Sequence, residues 1–176
     1  VDIAVGATQG DRVWTGSWNA NLNGAVYIMY MNANGSVKST VTIDRDTANG
    51  PGSSATNGYG TEVQNLGDLN GDGVIDIAVG NKRENSSAGA VYIHYLNADG
   101  SVKSTVKING DTANGPSLTA GDRYGTDIAN MGDMDGDGVI DIAVGADEDS
   151  SAGTDEGAVY IHYMNSNGSI KSTVKI

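Results

Sequence analysis

The sequence predicts an all-β fold of short four-stranded antiparallel sheets stacked face to face, and three observations predict it. First, Gly-Ala-Val-Tyr-Ile occupies residues 24–28, 89–93 and 157–161, which makes the chain a repeat of roughly 65 residues. Second, each copy follows Asp-Ile-Ala-Val-Gly, starting at Asp2, Asp76 and Asp141, and leads through a Gly-containing turn into Lys-Ser-Thr-Val at Lys38, Lys103 and Lys171. These apolar runs are short and broken by Gly and Asn, which suits strands and leaves no 3.6-residue period for a helix. Third, 26 glycines without a Gly-x-y period, beside two prolines, call for many tight turns.

Taken in order, the first copy offers strands near 1–6, 24–31 and 37–43. The second offers 59–66, 75–80, 89–96 and 102–108, and the third 124–131, 140–145, 157–164 and 170–176. The units so defined are 1–44, a partial blade without its first strand, and two complete blades at 45–109 and 110–176. Asn34-Gly35, Asp99-Gly100 and Asn167-Gly168 supply residues tolerant of positive φ, so the last two strands of each unit pair as a hairpin. Segments such as Ala90-Val91-Tyr92-Ile93-His94-Tyr95-Leu96 are large or apolar on both parities and show no wet face. Both faces are therefore expected to be covered, as when blades stack in a β-propeller.

Composition narrows the function. The 176 residues carry a net charge of -12 and a pI near 4.2, a surface that repels nucleic acid and anionic lipid and attracts cations. With no cysteine, a disulfide framework, a thiolate zinc site and a Cys nucleophile are excluded. No apolar run approaches the roughly 18 residues of a membrane helix. The N-terminus has no basic signal-peptide region and reads as the middle of a repeat.

The chemistry concentrates in two nine-residue loops. Asp68-Leu69-Asn70-Gly71-Asp72-Gly73-Val74-Ile75-Asp76 and Asp133-Met134-Asp135-Gly136-Asp137-Gly138-Val139-Ile140-Asp141 place side-chain oxygens at positions 1, 3, 5 and 9. Ca²⁺ takes six to eight oxygen ligands, and short oxygen-bearing side chains at alternate positions let a chain coil around it. The expected ligands are Asp68, Asn70, Asp72 and Asp76 with the Val74 carbonyl, and Asp133, Asp135, Asp137 and Asp141 with the Val139 carbonyl: two Ca²⁺ sites. An EF-hand needs a bidentate Glu at position 12, where Val79 and Val144 stand, so that reading fails. Asp2 matches position 9 of a loop whose earlier ligands are absent.

The order Tyr-Gly (Tyr59-Gly60, Tyr124-Gly125), acidic loop, Asp-Ile-Ala-Val-Gly and Gly-Ala-Val-Tyr-Ile resembles the FG-GAP repeat of integrin α-subunit propellers and bacterial surface proteins. The resemblance covers essentially the whole chain. It departs in having Tyr59 and Tyr124 for the usual Phe, and no proline after Gly80-Asn81 or Gly145-Ala146. It implies one blade per repeat, with calcium between the first and second strands. Such propellers close with about seven blades, so this chain, with two complete and one partial, is expected to work as part of a longer array or with other copies of itself.

Other candidates carry less. His94 and His162 share one repeat position, which points to packing and not to catalysis, and no nucleophile with a positioned base emerges. Trp14 and Trp18 stand in a polar insertion as a possible sugar or partner contact. Asn34, Asn85 and Asn167 begin Asn-x-Ser sequons and are possible glycosylation sites. The sequence therefore predicts a non-enzymatic, calcium-stabilised structural or adhesive module, extracellular or at the cell surface. A carbohydrate-binding module and an accessory domain of a secreted hydrolase are the alternatives, and surface proteins or carbohydrate the possible partners.

Overall fold

A computed structural model describes residues 2–8, 24–52, 58–151 and 156–176. Its strands form three antiparallel sheets of three, four and four strands, none closed on itself, so the fold is all-β and consistent with incomplete propeller blades. Blade 1 holds β1 (Ile3–Ala7), β2 (Ala25–Met31) and β3 (Val37–Ile43). Blade 2 holds β4 (Tyr59–Gly67), β5 (Asp76–Asn81), β6 (Ala90–Leu96) and β7 (Val102–Ile108). Blade 3 holds β8 (Tyr124–Gly132), β9 (Asp141–Ala146), β10 (Ala158–Met164) and β11 (Ile170–Lys175). Each sheet is a meander in chain order. The predicted strands stand within one or two residues of these bounds, and the unforeseen element is a one-turn helical segment at Glu84–Ser87 in which Asn85 and Ser86 have φ of 48 and 56°.

The hairpin turns correct one expectation. Only the glycine takes positive φ, 82° at Gly35, 81° at Gly100 and 78° at Gly168. The residue before it instead folds its side chain over the turn. Oδ1 of Asn34, Asp99 and Asn167 accepts the amide of Ser36, Ser101 and Ser169 at 3.0, 2.9 and 3.0 Å, and also that serine's hydroxyl. This is a three-residue loop with a glycine bulge, not a two-residue turn. Two of these glycines also make room for the preceding blade: a Cβ on Gly100 would lie 2.7 Å from the Tyr30 hydroxyl, and one on Gly168 3.0 Å from that of Tyr95.

Apolar side chains fill the two spaces between blades. Val26, Ile28 and Ile43 of blade 1 meet Ile77, Val79 and Tyr92 of blade 2. On the other side, Leu66, Ile93 and Ile108 meet Ile142, Tyr160 and Met164 of blade 3. Every residue of β5 and β6 is buried, so coverage on both faces holds for the middle blade. It does not hold for blade 3, where β10 alternates and Val159 is 42% exposed, because no blade lies beyond it among the described residues.

Glycines let the backbones touch where blades meet. Cβ atoms on Gly6 and Gly80 would fall 2.2 and 2.1 Å from the carbonyl oxygens of Gly60 and Gly125, the bulge glycines of the next blade's first strand. The Gly of Gly-Ala-Val-Tyr-Ile plays the same part: Gly24 and Gly89 face the carbonyls of Tyr59 and Tyr124.

Each complete blade encloses a buried polar chain. Tyr59 Oη lies 2.7 Å from His94 Nε2, His94 Nδ1 lies 2.7 Å from Thr105 Oγ1, and Thr105 donates to the Asn49 carbonyl at 2.6 Å. Tyr124, His162, Thr173 and the Asn114 carbonyl repeat this at 2.7, 2.7 and 2.6 Å. Since the threonine proton goes to a carbonyl, Nδ1–H donates to the threonine, and the neutral imidazole that burial favours then accepts the tyrosine proton at Nε2. Burial lowers His94 to about 3 and His162 to about 4, and it raises Tyr59 and Tyr124 well above their ordinary value. Asn49 and Asn114, at φ of 57 and 58°, lie in the segments connecting successive blades.

Candidate metal centre

Both acidic loops join the first strand of a blade to its second, and their own backbones shape them. The position-1 carboxylate gathers loop amides. Asp68 accepts from Asp72 at 2.9 Å and Gly73 at 2.8 Å, and Asp133 from Gly136, Asp137 and Gly138 at 2.7, 3.0 and 2.8 Å. Gly71, Gly73, Gly136 and Gly138, at φ of 77 to 87°, permit the coil. Asn70 Oδ1 accepts the Asp72 amide at 2.9 Å, and the position-5 aspartates accept the amides of Val74 at 3.0 Å and Val139 at 2.9 Å.

Position 9 is a latch. Asp76 and Asp141 are fully buried, and each carboxylate is shared between two amides. In Asp76, Oδ2 accepts from Leu69 at 3.1 Å and Oδ1 from Leu96, at the end of β6, at 3.1 Å. In Asp141, Oδ2 accepts from Met134 at 2.9 Å and Oδ1 from Met164, at the end of β10, at 2.9 Å. Each loop is thereby closed on itself and tied to the third strand. Burial raises the Asp76 pKa, a shift that the two amide bonds oppose. Asp2 makes the corresponding bond in blade 1, accepting the amide of Met31, at the end of β2, at 3.1 Å.

Among the described residues, one acidic group converges as a metal site requires: Asp133, Asp135 and Asp141 offer oxygens within 4.8 Å of one another. Asp137 lies outside that group, and its Oδ2 is held by Lys171, which also reaches Asp135 at 3.0 Å. In the first loop Asn70 replaces one carboxylate, and Lys103 pairs with Asp72 at 2.7 Å. Hydrogen bonds from these lysines are the leading cause of the lowered pKa of Asp72 and Asp137. The donor set holds oxygen alone, carboxylate, amide and backbone carbonyl, and so fits a hard divalent cation and not a soft metal.

The loops' surroundings differ. Ile140 packs into the core and against Gly67 at the end of β4. Its counterpart Ile75 is 54% exposed beside a groove of about 640 Å³ between blades 1 and 2, lined by Asp2, Ala4, Tyr30 and Val74, because blade 1 shows no counterpart of β4 among the described residues.

Sequence reasoning missed a second carboxylate in each complete blade. Glu84 and Asp149 are buried after the second strand. Glu84 accepts from Tyr92 and pairs with Lys107 at 2.7 Å, while Asp149 accepts from Tyr160 at 2.7 Å and pairs with Lys175 at 2.7 Å. Burial opposes ionisation of Asp149, but Lys175, Tyr160 and Ser151 outweigh it and hold its pKa low. The one sequence signal is Lys107 and Lys175, four residues beyond Lys103 and Lys171 on the same strand face, where blade 1 has Thr42. Trp14 and Trp18 lie outside the described residues, whereas Asn34, Asn85 and Asn167 are all exposed.

Residues 68–144, both acidic loops included, match the model of the FG-GAP-like repeat. The chain is 32% identical to integrin alpha-6 of Homo sapiens over 160 residues, 88% of this chain and 12% of that protein. It is 34% identical to integrin alpha-6 of Gallus gallus over 160 residues, 88% of this chain and 13% of that protein. Over 99 residues, 55% of this chain and 8% of the relative, it is 33% identical to integrin alpha-2 of Mus musculus. The chain thus spans 12 to 13% of the length of the alpha-6 proteins; it carries an FG-GAP-like repeat at residues 68–144 and is similar over most of its own length to integrin alpha subunits.

Proposed function

We propose that this chain is a calcium-stapled blade module of FG-GAP type, serving a structural or adhesive role outside the cell or at its surface and doing no catalysis. The observation that carries the reading is the second loop, where Asp133 and Asp135 converge with the buried position-9 Asp141, itself tied to its own loop and to the third strand. Asp68, Asn70, Asp72, Asp76 and the Val74 carbonyl would hold one Ca²⁺; Asp133, Asp135, Asp137, Asp141 and the Val139 carbonyl would hold the other. Each ion supplies positive charge that offsets the crowded carboxylates and fixes the first strand of a blade to its second. Units 1–44, 45–109 and 110–176 act as successive blades. Their partners are further blades of a longer chain or other copies of this one, because the apolar outer faces of blades 1 and 3, with Ile3, Val5, Val159 and Val174 exposed, match in kind the faces buried against blade 2.

Stripping the protein with a chelator should lower its melting temperature by about 5 °C, and millimolar calcium should restore it, as expected for extracellular-type affinities. Identical melting curves with and without calcium would refute the reading.

A further inference from the structure

The lysine of Lys-Ser-Thr-Val recurs in all three blades, and in blades 2 and 3 it meets an acidic loop. There the last strand of the blade lays its lysine on the loop. Lys103 Nζ lies 2.7 Å from Asp72 Oδ2, and Lys171 Nζ bridges Asp135 Oδ2, at 3.0 Å, and Asp137 Oδ2. In both loops the position-5 aspartate uses Oδ1 for the loop's own backbone, at Val74 and Val139, so the lysine occupies the oxygen left for a cation. In the second loop, Asp137 stands apart from the converging Asp133, Asp135 and Asp141.

We propose that Lys103 and Lys171 are tethered counter-ions that compete with the divalent cation, so that loading a loop exchanges a lysine ammonium for the metal. The inference rests on the calcium reading above. An acidic loop without a cation crowds like charges, and an ammonium on the neighbouring strand relieves that at no cost in association entropy, because it is already part of the chain. The same ammonium must leave, or yield its oxygen, before position 5 can serve as a ligand. Calcium affinity is then set by a strand residue outside the loop as well as by the loop itself. Lys171 contacts two expected ligands and Lys103 one, so the loop richer in carboxylates also has the stronger internal competitor.

The test is calcium titration by calorimetry into the chelator-stripped whole chain, comparing wild type, Lys103→Met, Lys171→Met and Lys171→Arg, with a melting curve of each stripped protein. Removing the competitor should tighten one site about fivefold in Lys171→Met and the other about twofold in Lys103→Met, the scale of a partly exposed ion pair. Lys171→Arg keeps the charge and should keep the wild-type affinity. The stripped Met variants should melt lower than stripped wild type. Unchanged or weaker calcium binding in both Met variants would overturn the exchange and make the lysines supports of the loaded loop. Absence of calcium binding in every protein, wild type included, would refute the calcium reading itself and the exchange with it; a lowered melt in the Met variants would then report only an ion pair.

Discussion

The second strands of blades 2 and 3 begin with the same five residues, Asp-Ile-Ala-Val-Gly, yet the two copies meet different surroundings. Gly80 lies against the backbone of the next blade, with a Cβ position 2.1 Å from the Gly125 carbonyl oxygen, whereas the nearest atom to that position on Gly145 is a Thr126 methyl at 3.5 Å. Leu69, in the first acidic loop, is buried in the core, while its counterpart Met134 is 44% exposed. The difference teaches that the repeat's glycines and loop apolars are required by the adjoining blade and not by the strand that carries them. The repeated sequence encodes an interface as much as a sheet.

The sharpest way to break this comparison is to add one methyl group to each copy. Gly80→Ala should cost about 3 kcal/mol, since backbone must move, and Gly145→Ala less than about 0.5 kcal/mol, both read by urea denaturation. Equal costs would show that the glycine serves its own strand. Truncating the loop apolars comes next: Leu69→Ala should cost about 2–3 kcal/mol and Met134→Ala under about 1 kcal/mol.

Acid gives a smaller and more even effect. His94 and His162 have folded pKa values of about 3 and about 4, below the ordinary value of 6.5. Between those values the unfolded chain binds more protons, so stability is held above pH 6.5 and is lost as pH falls towards 4 and then 3. The loss should be about 1.4 kcal/mol per histidine at about pH 5.5. His94→Gln and His162→Gln should each flatten the profile in that range, and equal pH slopes in wild type and variants would remove the histidines as its source.

Strand order, the repeat and both acidic loops were legible in the sequence because they rest on local patterns: Gly-Ala-Val-Tyr-Ile, the alternating oxygens, the Asn/Asp-Gly turns. Contacts between segments distant in the chain were not. The buried Glu84 and Asp149 sit in different surroundings, Glu84 in the one-turn helical segment after β5 and Asp149 in a loop, and only the fold brings Tyr92 with Lys107 and Tyr160 with Lys175 onto them. The turn aspartate and asparagines were legible in position but not in role, since an Asn before Gly signals positive φ and a side-chain cap alike.

The segments between blades, rich in Gly, Asn and Thr, have the composition of slack linkers, but the carbonyls of Asn49 and Asn114 are held by Thr105 and Thr173 on the last strand of the blade that follows. The chain leaves the last strand of one sheet, is gripped at the last strand of the next, and then runs to that sheet's first strand. Each connecting segment therefore touches both edges of the blade it enters, bonded at β7 or β11 and continuing into β4 or β8, so the linker belongs to that blade's hydrogen-bonded frame.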